Sequence, residues 1–202
     1  MNKAGIRNQF LALLNRNDCT NELADTFIDQ SVARIQRTLR VPPMERGELV
    51  TVNETNNNVV VLPEDFLEMK YLYSGDTLLE YVDIGRYMQT PAEVGIPRVY
   101  TRIQGEIRVR PTPPTGTKLT MIYYGEVPDL VDDTSENYFT VAAPDLVVYG
   151  ALTYAADYFV DERKPLFEET FARIYGELTE QALSLEMNTS GMAIAPAYNM
   201  EY

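Results

Sequence analysis

The residues able to do chemistry in this chain are almost all carboxylates. Thirty acidic side chains stand against seventeen basic ones, with no histidine, no tryptophan and a single cysteine, Cys19. Without histidine the commonest general base and metal ligand is missing, and the usual Ser–His triads cannot be built. One cysteine excludes a Cys/His zinc site and an internal disulfide, and it fits a reducing compartment. No phosphate-cradling glycine loop and no dinucleotide fingerprint occurs. What remains is a glycosidase-like pair of carboxylates, with Glu64–Asp65 and Asp132–Asp133 as candidates, one of which would need an environment-shifted pKa. Adjacent acids in a turn are far more often solvated surface. The acidic stretch Asp129–Glu136 lacks the alternating ligands and mid-loop glycine of an EF-hand and reads as a charged linker. No catalytic, cofactor or metal residue is assigned.

The one basic cluster is Arg98, Arg102, Arg108 and Arg110, on a segment that reads as a β-hairpin. A loop of three residues with Gly105 left-handed would pair Arg102 with Glu106, Tyr100 with Arg108 and Arg98 with Arg110. That register puts the four arginines on one face and Val99, Ile103, Ile107 and Val109 on the other. A two-residue loop would mix Arg102 with Ile107, so the first register is preferred. The arginine face reads as solvent surface or as a contact with another subunit or an acidic partner.

The elements that would carry these groups fall into three blocks. Ile6, Phe10, Leu13 and Leu14 have helical spacing, and Thr20 caps a second helix that runs to about Arg40 and stops at Pro42–Pro43. From Glu45 the pattern alternates. Strands are expected around Leu49–Val52, Val59–Leu62, Leu67–Tyr73, Leu78–Val82, the hairpin and Leu119–Tyr123. Asn53–Asn58 is a turn, Asp83–Thr90 one or two helical turns, and Leu67, Met69, Tyr71 and Tyr73 share one face of their strand. Pro144–Glu186 is a pair of helices. The first is apolar on every side between Leu146 and Val160 except at Asp157, so it must be enclosed all round. Gly150, Ala151, Ala155 and Ala156 permit close approach, within the bundle and between subunits, and Tyr149, Tyr154, Phe159, Phe167 and Tyr175 are packing anchors.

The expected fold is therefore α+β: a bundle of about four helices (1–44 and 128–186), an inserted antiparallel β domain of about six strands (45–127) and an extended C-terminal tail (187–202). No apolar run approaches the ~18 residues that span a bilayer, and the N-terminus lacks a signal-peptide cleavage pattern. Net charge is −13, and residues 129–202 alone hold fourteen acids against three bases. Such a surface repels a polyanion.

Taken in order, IQRTLRVPPMER, VVVLPEDFLEMKYLY (59–73), GIPRVYTRIQGEIRVRPTPPTGTKLTMIYYGEVPDL (95–130) and NYFTVAAPDLVVYGALTYAADYFVDER (137–163) resemble the head-to-tail adaptor, or connector, proteins of short-tailed bacteriophages. The resemblance runs from about residue 20 to 186. It implies a structural virion protein, without catalytic activity or cofactor, that forms a ring, typically twelvefold, between the portal protein and the tail nozzle or fibres. The ring would sit at the head–tail junction, be assembled in the host cytoplasm, and line a channel through which DNA passes without specific binding. The tail resembles adaptor tails that extend onto the portal, with Met192, Ile194, Tyr198, Met200 and Tyr202 as the contacts. Two other classes remain open at this point: a phage tail-associated glycan hydrolase using carboxylates, and a DNA-binding module using the Arg98–Arg110 hairpin.

Overall fold

The computed structural model describes residues 1–52 and 58–189. In chain order these form α1 (Lys3–Leu14), α2 (Asn21–Thr38), β1 (Glu45–Thr51), β2 (Val59–Val60), β3 (Phe66–Ser74), β4 (Thr77–Leu78), β5 (Glu80–Tyr81), α3 (Ile84–Gln89), β6 (Val99–Ile103), β7 (Glu106–Arg110), β8 (Lys118–Gly125), α4 (Tyr138–Ala142), α5 (Pro144–Tyr158) and α6 (Lys164–Thr189). The fold is mixed α+β, with six α-helices and two four-stranded sheets among the described residues. Two compact units result, one from Met1–Pro43 and the chain from Val127 onward, the other from Met44–Glu126.

In the helical unit the caps follow from residue type. The Asn2 side chain accepts from the Gly5 amide and the Thr20 hydroxyl accepts from the Leu23 amide, each satisfying one donor that a helix start leaves free. Asn15 ends α1 at φ 53°, in the left-handed region that asparagine tolerates. Helix α4 opens on a reciprocal Asn137–Thr140 capping box. The 127–137 connection is more than a charged linker, because the start of α1 pins it. The Lys3 amide donates to Ser135 O, the Ala4 amide to Asp133 O, and the buried Lys3 ammonium to Leu130 O at 2.8 Å.

Helix α5 is enclosed from Leu146 to Ala156, but the all-round burial expected as far as Val160 fails at its end, where Tyr158 and Val160 are 63% and 88% exposed. Leu146, Val147, Val148, Ala151, Leu152, Ala155 and Ala156 are at most 1% exposed, and α1, α2, α4 and α6 all pack against it. Each fully buried valine or leucine contributes about 1.5–3 kcal/mol. The closest approach is at Gly150. A β-carbon there would lie 2.2 Å from the Ser31 hydroxyl of α2 and 3.1 Å from the Phe171 ring of α6, while that hydroxyl donates to Val147 O at 2.8 Å. The small residues are thus spent on helices of the same chain, and the expectation that they serve packing between subunits is corrected. Of the anchors, Phe167 is buried beneath Tyr149, and Tyr175 stacks on Phe171.

The β unit is two sheets, in the orders β1-β8-β3-β4 and β2-β7-β6-β5. Leu72, Leu119, Met121 and Tyr123 of the first share a core with Val60, Tyr100, Ile107 and Val109 of the second. Eight strands stand where about six are expected, and one of the extra strands arises because the Leu78–Val82 stretch is divided. Thr77–Leu78 pairs in the first sheet and Glu80–Tyr81 in the second, with buried Leu79 at the changeover. Among the described strands the β5–β6 pair is parallel and the other pairs are antiparallel, and a lone bridge between Val94 and Thr112 is parallel too. A parallel neighbour needs a crossover, and the β5–β6 connection carries α3. Asn53–Asn57 of the expected turn lie outside the described residues, as does the tail beyond Thr189 with Met192, Ile194, Tyr198, Met200 and Tyr202.

Two readings of faces are corrected here. In β3, register shifts between Phe66 and Glu68 and between Met69 and Tyr71 break the simple alternation. Leu72 is fully buried and Met69 packs against the same core, whereas Tyr71 and Tyr73 turn to the opposite face, with Tyr71 41% exposed. In the hairpin, Arg102 pairs with Ile107, Tyr100 with Val109 and Ile103 with Glu106. The loop is the two residues Gln104 and Gly105, both at positive φ (54° and 85°), the handedness that suits a tight hairpin to twisted strands. Arg102 avoids the core by standing at the exposed end of its strand, so the charge that argued against this register carries no penalty.

Candidate functional surface

The two-residue register divides the arginines. Arg108 and Arg110 share the face of Val99 and Ile103, and Arg102 lies on that of Tyr100, so no single arginine face exists. Arg110 Nη1 donates to the carbonyls of Tyr87, Met88 and Thr90 at 3.0–3.2 Å, and its guanidinium lies 4.5 Å from the centroid of the buried Tyr87 ring. It closes the C-terminal end of α3, where free carbonyls and the helix dipole favour a cation. Arg108 pairs with Glu106 at 2.8 Å. Arg98 and Arg102 remain exposed. Arg110→Ala is therefore expected to loosen α3 and cost about 1–2 kcal/mol of stability, read as a lower urea midpoint. An Arg102→Ala control should shift that midpoint little.

Three of the four candidate carboxylates make contacts that hold the fold. Asp65 accepts from the Tyr123 hydroxyl at 3.0 Å and pairs with Arg46 at 3.0 Å. Burial, reinforced by that carboxylate, pushes the Tyr123 phenol up to about 12. Asp132 accepts from the Thr134 hydroxyl and amide and from the Ser135 hydroxyl, which hold it below the usual carboxylate range. Asp133 pairs with Arg7. Asp65, Asp132 and Asp133 are thus committed to structural contacts, and Glu64 is exposed. Among the described residues no group of three or more Asp, Glu, Cys or His side chains comes together to hold a metal ion.

Arg7 is the hub of the charged contacts in the helical unit. Its Nε and Nη2 meet the two oxygens of Asp25 at 2.6 and 2.7 Å, and Nη2 reaches Asp133 at 2.6 Å. Lys3 stands 3.7 Å from both Asp25 and Asp29. Burial raises the Asp29 carboxyl above its ordinary value, against the pull of Lys3. On the far side of α2, Arg34 holds Glu168 of α6 and lies over the Phe171 ring, and that hydrogen bond lowers the Glu168 pKa. These contacts fix helix to helix and to the 127–137 strap.

What the β unit does present is an apolar belt. The registers Leu49–Thr120–Tyr73–Leu78 and Gly47–Ile122–Tyr71 lay two adjacent rows across the outer face of the first sheet. Leu49 and Leu78 are 54% and 51% exposed. The Tyr71 and Tyr73 rings lie 6.2 Å apart, and Lys70, paired with Glu45 at 2.6 Å, borders them. Tyrosines and leucines with a charged rim are the composition of a protein-binding surface. Simple alternation hides this belt, because only the shifts in β3 turn both tyrosines outward.

A family model described as SU10 adaptor protein matches residues 1–195, nearly the whole chain. The chain belongs to this family. No curated protein matches it. As an adaptor-family member it is a structural component of a bacteriophage virion, a connector of the head-to-tail kind, and the family implies association with portal and tail components. A binding belt and structurally engaged carboxylates suit an adaptor. No described helix of this adaptor-family chain is long and apolar enough to cross a membrane.

Proposed function

We propose that copies of this chain close into a twelvefold ring that joins the portal to the tail nozzle or fibres and lines the channel for DNA. The observation that carries the reading is the family match across residues 1–195. Within it, the portal contact falls to the segment with Met192, Ile194, Tyr198, Met200 and Tyr202. Contact with the next subunit or the tail falls to the Leu49–Tyr71–Leu78 belt and the exposed Arg98 and Arg102. The excess of acids, fourteen against three over residues 129–202, suits a lumen that lets DNA pass without adhering. Assembly would take place in the host cytoplasm and yield a part of the head–tail junction. The test is negative-stain microscopy of the purified protein alone and mixed with its portal. Closed rings seated on the portal are expected, and a monomer that forms no ring with or without portal overturns the proposal.

A further inference from the structure

The β unit is built in layers. The inner faces of its two sheets close on a common core. The outer face of the second sheet is covered by α3, whose Tyr87 is buried against Val82, Val99 and Ile103. Both outer layers of this stack are apolar in part. On one side lies the Leu49–Tyr71–Leu78 belt of the first sheet. On the other, Ile84 and Met88 stand one helical turn apart on the same side of α3 and are 53% and 57% exposed. Val94 and Ile96, on the chain returning to β6, are exposed as well. Grouped apolar side chains on a surface mark contact sites, whereas single ones need no explanation. Two such groups on opposite sides of one unit call for two partners, or for one partner that carries both.

We propose that the belt of one copy docks on the α3 face of the next. A second copy of this chain is a partner that carries both faces, so one kind of contact, repeated, covers them all. The proposal rests on the reading that copies close into a ring, and it names the surfaces that meet. A ring subunit has a neighbour on each side. It needs two different faces that fit one another, whereas a two-fold pair needs a single face that fits itself. The faces here do differ. One is a sheet surface of leucine and tyrosine, the other a short helix presenting isoleucine and methionine. Tyrosine and methionine are enriched where proteins meet. The rims agree in charge. Thr51 and Lys118 form the row beside Leu49 and Thr120, and Lys118 is exposed. Asp83 and Glu93, exposed too, bracket α3 in the chain. A cation at the edge of one face thus has acids to meet at the edge of the other.

The test links defined positions across copies of the full-length protein. With Cys19→Ser as background, Leu78→Cys protein and Met88→Cys protein are mixed on purified portal and treated with a short thiol cross-linker. The mixture should give at least about tenfold more linked dimer than either variant alone, because only unlike faces meet. Microscopy of the unsubstituted protein on the same portal reads ring formation separately. Rings without mixed dimers overturn this pairing, leave the ring standing and free the belt for a portal or tail protein. Mixed dimers without rings keep the pairing, as an open chain, and overturn the ring. With neither, both fall. Linked dimers from Leu78→Cys alone, as abundant as in the mixture, would mean that belt meets belt and overturn the proposal. Glutamate variants give a second check. Leu78→Glu should keep its urea midpoint yet form no rings, and mixed with Met88→Glu it should form dimers, since each variant retains one sound face. Rings formed by Leu78→Glu as readily as by the unsubstituted protein overturn the proposal.

Discussion

Gly150→Leu will lose at least about 3 kcal/mol, since overpacking costs this much where the surroundings cannot yield. Even the first atom of a side chain at this position falls 2.2 Å from the Ser31 hydroxyl, which is itself held by its bond to Val147 O. Leucine must displace α2 or the Phe171 ring of α6, which both close on α5 at this buried position. Urea unfolding should show a much lower midpoint. The milder Gly150→Ala separates the causes. Alanine favours a helix by about 1 kcal/mol over glycine, so a net loss would report the collision with Ser31 and the tighter contact with the Phe171 ring. Combining it with Ser31→Ala, which removes the colliding oxygen, should recover most of that loss. Additive losses in the double variant would mean the Ser31 contact is not what glycine relieves.

Arg7→Ala will destabilise the helical unit by about 2–3 kcal/mol, because it strips a hydrogen-bonded cation from a carboxylate that is largely out of water. Arg7 is 12% and Asp25 24% exposed, and the Lys3 ammonium at 3.7 Å is the cation left to Asp25. The same change frees Asp133 and so loosens the 127–137 strap. Arg173→Ala is the control. Arg173 pairs with Glu177 on one exposed helix face, a kind of contact worth about half a kcal/mol or less. Equal losses in the two variants would show that Arg7 is no more than a surface charge. Salt should weaken the Arg173 contribution and leave most of that of Arg7, since ions screen exposed charges best.

The helices were legible in the sequence because their signals are local. Thr20 caps α2 through its own hydroxyl, and the apolar run of α5 from Leu146 to Ala156 has one physical solution, enclosure. The β unit was legible only in outline. Its corrections come from single-residue shifts, to which a two-residue period is most sensitive. The displaced register in β3 turns Tyr71 outward and Leu72 inward, and a pair of left-handed residues, Gln104 and Gly105, moves every arginine of the hairpin relative to its expected neighbour. Arg110 could have been recognised as a cap only once α3 was known to end beside it, because 20 residues or more separate it from the carbonyls it holds. The belt on the first sheet escaped for the same reason, and it is where a partner is now expected.

The enclosure of α5 bears on how an assembly would be timed. A subunit that leaned on a neighbour to cover its central helix would be half-folded until that neighbour arrived, exposed meanwhile to aggregation and proteolysis. Here the covering is supplied from within one chain, so folding and association are separate events with separate equilibria. In the proposed ring, subunits would accumulate as finished parts and closure would be a separate step made through their surfaces.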